Sequence, residues 1–224
     1  MSGNDAVRWT KGYTQSELDR AQRRFGLVFP PDLIALLKRK RPVEGHDWTD
    51  DRAIRRALDW PFVSLLRSVE NGRMWWSEWG KWPSSAGARE EKLRDIISRA
   101  PKLIPLIAHR YLPEQPNEAG NPVFSIYGVD AIHYGANLND YFEREFGNPN
   151  SKPWPARMKY IPFWSELVDR FAHDSNNAID FLLGWRQRDN PTCSHRLPCI
   201  FTSGSTPAAK VQVAPRGIRT LPRK

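Results

Sequence analysis

Apolar and polar positions are patterned most clearly between Pro101 and Gly135. Leu103-Ile104-Pro105-Leu106-Ile107-Ala108 is a continuous aliphatic run. Val123 to Tyr127 and Ala131 to Tyr134 are short runs rich in β-branched and aromatic residues, punctuated by Gly120, Gly128 and Gly135. This pattern predicts strands joined by tight turns. The flanking sequence carries helical periodicity instead. Thr14-Gln15-Ser16-Glu17 has capping-box spacing and predicts a helix to Phe25, stopped by Gly26. Pro31 and Asp32 open a second helix with Leu33, Ile34, Leu36 and Leu37 apolar and Lys38 to Arg41 at its end. Further helices are expected up to Leu58, from Phe62 to Val69 after Pro61, and over Ala88–Ala100, Asn137–Phe146, Pro162–Ala172 and Asn177–Trp185. The expectation is an α+β fold: a single mixed or antiparallel sheet of about four to six strands flanked by several short helices. Residues 1–13 read as a flexible, polar start, 14–185 as the folded domain, and 186–224 as a tail without periodicity, rich in Pro, Ser, Thr and bases, and read as disordered.

Charge sharpens that division. The net charge of +9 suggests a polyanionic partner. The segment 186–224 has eight bases and one acid, a net of +7, and the other 185 residues have 26 bases and 24 acids. The body is nearly neutral, so by net charge nucleic acid is expected only at the tail. Both cysteines, Cys193 and Cys199, lie in the tail, so no disulfide framework is needed. No apolar run approaches membrane-spanning length and no secretory h-region opens the chain; a cytoplasmic protein without membrane contact is expected.

The candidate chemistry is sparse. No nucleophile elbow, Walker loop or dinucleotide fingerprint occurs. Cys193, His195 and Cys199 offer three ligands where structural zinc wants four, and His109 and His133 lack a third ligand, so neither metal nor cofactor is expected. A polar group of His109, Arg110, Tyr111, Asn121, Asp130 and Tyr134 clusters in the strand region. An Arg110–Asp130 pair across neighbouring strands would make it either a structural fastener, which is favoured, or a polar pocket; the pocket gives the alternative reading of an enzyme using His109, Arg110, Asp130 and Tyr134. Trp75, Trp76, Trp79 and Trp82 fall within eight residues, interleaved with Lys81 and preceded by Arg73. They suit base stacking, a protein hot spot or the lid of a small core, and of these the core is favoured. Asp140, Glu143 and Glu145 give the helix after the strands an acidic outer side suited to a basic protein partner.

Phe25-Gly26-Leu27-Val28-Phe29-Pro30-Pro31-Asp32-Leu33 to Leu37 resembles the helix-opening motif of the Smi/Knr family, in which an LG-x-x-LP-x-D turn precedes a leucine-paired helix. Trp75 to Pro83 resembles its tryptophan segment. Ala100 to Ile107, His109-Arg110-Tyr111, Gly120 to Ser125, and Asp130-x-Ile132-x-Tyr134-Gly135 resemble the core of its bacterial relatives. The pattern covers Leu18 to Trp164. It departs at Lys38-Arg39-Lys40-Arg41-Pro42, where the family has a glycine/asparagine pair, and in the basic C-terminal extension. The resemblance places the chain in the SUKH superfamily and implies an α+β fold. It implies a non-catalytic binding module. Bacterial members are read as immunity proteins that neutralise polymorphic toxins, and fungal members as signalling scaffolds. The expected partner is a protein, a cognate toxin domain, and the resemblance supplies no catalytic residues.

Overall fold

The computed structural model describes residues 7–147, 153–155 and 157–172, all within the unit Met1–Ala178. In chain order these form β1 (Trp9–Lys11), α1 (Gln15–Phe25), α2 (Pro31–Arg39), β2 (Lys40–Pro42), α3 (Asp51–Glu70), a 3-10 turn (Ser77–Trp79), α4 (Ala86–Ser98), β3 (Leu103–Ile107), β4 (Arg110–Pro113), β5 (Val123–Tyr127), β6 (Asp130–Gly135), α5 (Leu138–Phe146) and α6 (Trp164–Ala172). The fold is α+β. The expected helix Asn177–Trp185, the tail 186–224 and the Cys193/His195/Cys199 set lie outside the described residues.

β3-β4-β5-β6 is an antiparallel meander. Two-residue turns join its outer pairs: Ala108-His109, with Ala108 at φ 47°, and Gly128-Val129, with Gly128 at φ 64°. Both strand faces are covered. Ile104, Leu112 and Val123 pack with Leu18, Leu33 and Leu138, which belong to α1, α2 and α5. Tyr111, Phe124, Ile126 and Ala131 pack with Leu65, Leu93, Trp164 and Leu167 of α3, α4 and α6. Period-two alternation therefore sorts side chains between two cores, each large buried side chain contributing about 1.5–3 kcal/mol.

A second sheet was not expected. β1 pairs antiparallel with β2, so the start of the chain is not loose from Trp9 onward. Its register is closed by Tyr13 N–H donating to Leu37 O at 2.8 Å. The Lys38–Arg41 tetrad is divided by this ribbon. Lys40 Nζ lies 3.8 Å from the Trp9 ring centre, and Arg41 stacks on Tyr13 and donates to its hydroxyl at 2.5 Å.

The larger departure is α3. Two helices separated at Pro61 were expected, but one 20-residue helix runs from Asp51 to Glu70 with Pro61 inside. Proline cannot donate to the carbonyl four residues back. That carbonyl belongs to Ala57, and the Tyr111 hydroxyl donates to it at 2.8 Å. Tyr111 is fully buried, and burial holds its phenol in the protonated, donating form. A central strand thus supplies the hydrogen bond that the helix lacks. The same helix is fastened twice more. Trp60 Nε1 donates to Ile126 O at 3.0 Å, and Ser68 Oγ accepts from Val129 N–H at 3.2 Å. Gly128 leaves room for this contact, since a Cβ there would lie 2.4 Å from Ser68 Oγ. Tyr111→Phe is expected to lower stability by about 1–3 kcal/mol by orphaning the buried Ala57 carbonyl. In a Pro61→Ala background, where a backbone N–H is restored, the same change is expected to cost well under half as much. Urea unfolding of the four proteins in this double-mutant cycle measures the difference.

Candidate partner-binding site

The tryptophan segment is both core and surface. Met74 and Trp76 are buried in the cluster formed by α3, α4 and α6. Trp76 meets Trp79 at 4.7 Å and Phe163 at 5.6 Å between ring centres. Trp75 packs edge-on against Trp79 and Trp82 at 5.4 and 5.1 Å, and its Nε1 donates to Gly80 O at 2.8 Å. That bond closes the segment into a compact loop, with Gly80 at φ +86°. Trp82 sits at its end and is 39% exposed.

Two arginines from distant parts of the chain clamp the loop. Arg89 lies over Trp82 and grips Glu70 with two hydrogen bonds at 2.9 and 2.7 Å. Arg170 lies over Trp76 and bonds Glu78 and Glu166, each at 2.7 Å. These bonds hold Glu70 and Glu78 below the usual carboxylate range. Beside the loop is an open depression of about 430 Å³, lined by Trp79, Lys81, Pro83, Glu91, Lys92 and Asp95. Trp79 and Pro83 beside charges of both signs make a surface that can seat a protein side chain and orient it. Sequence reading named the tryptophans and Lys81. It missed the clamps and the α4 wall, because Arg89–Glu70 spans 19 residues and Arg170–Glu78 spans 92. No local pattern marks either.

The polar group converges only in part: His109, Arg110 and Tyr134 meet, while Tyr111, Asn121 and Asp130 are engaged elsewhere. Arg110 and Asp130 lie on β4 and β6, which β5 separates, so they cannot pair across neighbouring strands. Asp130 instead approaches Arg73 at 3.8 Å. Arg110 is buried, stacks 3.9 Å from the Tyr134 ring centre, donates to Ser125 Oγ at 3.3 Å and contacts His109. Tyr111 is committed to Ala57. Asn121 is buried and its amide donates to Pro113 O at 3.2 Å and Pro116 O at 2.8 Å, folding the loop after β4. That loop is anchored to the Phe25–Leu33 segment: Gly120 N–H donates to Asp32 Oδ2 at 2.9 Å, and Val28 N–H donates to Glu114 at 3.2 Å. The residues resembling a family motif here perform a structural task.

The acidic outer side expected on α5 is also divided. Asp140 is largely covered, accepting from Ala136 N–H at 2.7 Å and from Arg144 Nε at 2.7 Å. Glu145 is half-buried and close enough to Tyr134 of β6 to help raise its pKa. Glu143 remains exposed. The three carboxylates therefore do not present one continuous acidic face.

His109 and His133 have separate surroundings, stacking on Tyr127 at 6.0 Å and Phe124 at 4.9 Å. Among the described residues no group of three or more metal-ligating side chains gathers, and no helix is long and apolar enough to cross a membrane. Comparison with family models, with curated proteins and with solved structures finds no match to this chain.

Burial, with Arg110 adding repulsion, lowers the His109 pKa to about 4. Burial also lowers His46 and His133, the latter opposed by Asp169. An unfolded histidine takes up a proton near pH 6.5 that these folded ones refuse. Stability is therefore expected to be full above that pH and to fall as the pH drops toward 4. His109 accounts for on the order of 1–2 kcal/mol of this, discounted for its partial exposure. Urea midpoints at pH 7.5, 6 and 5 should show the decline, and His109→Gln should flatten it.

Proposed function

We propose that this chain is a non-catalytic, cytoplasmic protein-binding module that acts as an immunity protein, neutralising a toxin domain by occluding it. The observation that carries the reading is Trp82: a large aromatic, 39% exposed, held by Trp75 and Arg89, whose chain neighbours Lys81 and Pro83 line an open depression. A pre-ordered, partly exposed tryptophan loses little entropy on binding. Aromatic anchors of this kind dominate the energetics of protein interfaces. The alternating charges of Lys81, Glu91, Lys92 and Asp95 supply a polar rim that selects among partners. The resemblance of the Phe25–Leu37 and Trp75–Pro83 segments to the Smi/Knr family supports the choice of a toxin as that partner. The enzyme alternative is disfavoured by the separation of Arg110 from Asp130.

The test uses the purified chain and a toxin domain encoded by a neighbouring gene. The pair is expected to form a stable complex that abolishes toxin activity. Trp82→Ala should weaken it by at least about 30-fold, corresponding to about 2 kcal/mol, with little change in the unfolding midpoint. A complex unaffected by Trp82→Ala moves the interface elsewhere, and failure to bind any such domain removes the immunity reading.

A further inference from the structure

The near-neutral charge of the body conceals a cluster of six exposed arginines. The string Asp-Arg-Ala-x-Arg-Arg occurs twice, at 19–24 and at 51–56. Each copy lies on a helix, the first on α1 and the second on the opening turns of α3. Its arginines fall at i, i+3 and i+4, the spacing that puts side chains on one helix face. All six are exposed. The two helices meet there: Arg24 pairs with Asp51, and the Arg55 guanidinium lies 5.5 Å from the Phe25 ring centre. Arg24 and Arg55 thus join two triads into one surface. Arg20, Arg23, Arg52 and Arg56 form no ion pair among the described residues. The acids on α1, at the cap of α3 and on its opening turns are Glu17, Asp19, Asp50, Asp51 and Asp59, so the two segments 15–25 and 50–59 carry six bases and five acids. What folding adds is the clustering of six exposed guanidinium groups where the two helices meet.

We propose that this arginine face, formed by α1 and the start of α3, binds the phosphate backbone of a nucleic acid without reading its sequence. Arginine, used six times without a lysine, matches phosphate oxygens with a planar fork of donors. The surface lacks the uncharged aromatic or aliphatic centre that a protein interface requires, because Phe25 is half-buried and covered by Arg55. Nucleic-acid interfaces are polar and positively charged throughout. The basic segment 186–224 would add to the same attraction. This face is a different set of residues from the tryptophan depression and does not rest on the function proposed for it.

The experiment is a titration of the full chain against a labelled 20-base-pair DNA duplex of arbitrary sequence between about 50 and 200 mM salt. The variant Arg20→Gln/Arg23→Gln/Arg52→Gln/Arg56→Gln spares the two arginines that join the helices and leaves the tail intact. Wild type is expected to bind at 50 mM salt with a steep salt dependence. The variant should bind more weakly, with a log–log slope shallower by about three to four, near one per lost phosphate contact. The pairs Arg20→Gln/Arg23→Gln and Arg52→Gln/Arg56→Gln should each give about half that change, which keeps the test decisive if the fourfold variant folds poorly. Trp82→Ala should leave duplex binding unchanged. Absence of duplex binding at 50 mM salt, or the same slope in wild type and all variants, overturns the proposal. So does arginine-dependent binding to polyglutamate or anionic vesicles but not to the duplex, which would assign the face to an acidic protein or a membrane.

Discussion

The fold depends on one hydrogen bond that a proline makes necessary. Pro61 in the middle of α3 deprives the Ala57 carbonyl of its helical donor, and Tyr111, buried on β4, supplies one. An unpaired carbonyl at that depth would cost as much as several ordinary contacts provide. The bond therefore ties the continuity of the longest helix to the position of the second strand of the sheet. Trp60 and Ser68 repeat the arrangement on either side, each joining α3 to the β5–β6 hairpin. Serine and glycine occur where helix and turn touch because larger side chains would separate them. The sheet is consequently held by polar bonds of fixed geometry as well as by the less directional apolar cores.

The same economy of apolar residues explains the tryptophan segment. Between Val69 and Leu93 the chain has no valine, isoleucine or leucine, so aromatics complete the core there, and a segment dense in tryptophan cannot bury all of them. Trp76 fills the interior while Trp82 is left at the surface, with Trp75 and Trp79 between. Arg89 and Arg170 then hold the loop from outside. A partly exposed aromatic surface is thus a consequence of how this core is filled, and it is ordered before any partner arrives.

Charge follows a different logic. Net charge is a sum and says nothing about placement. Neutralisation between Arg144 and Asp140 dissolves an acidic face that helical spacing implied. The junction of α1 with α3 creates a cluster of exposed arginines that the near-zero sum concealed.

Much of the local structure was legible in the sequence. The Thr14 capping box, the Gly26 stop, the Asn137 cap and the strands at Leu103–Ile107, Val123–Tyr127 and Asp130–Gly135 each act over a few residues and appear where local rules put them, whereas β4, Arg110–Pro113, falls where only the end of the first strand and a loop were expected. The α+β class follows from that order of elements. What was illegible depends on partners far away in the chain. Pro61 should end a helix by local rules and does not, because Tyr111 is 54 residues away along the chain and adjacent in space. The Trp9–Lys11 ribbon forms because Lys40–Pro42 lies opposite it. Arg110 and Asp130 share a sheet without meeting, since the meander inserts β5 between them. The sequence by itself determined the α+β class, most of the helices and three of the four meander strands, and that tryptophan would complete a small core. Only the tertiary structure decided which tryptophan stays in solvent, which charges cancel and which accumulate, because proximity between distant residues is a property of packing and is not written in local periodicity.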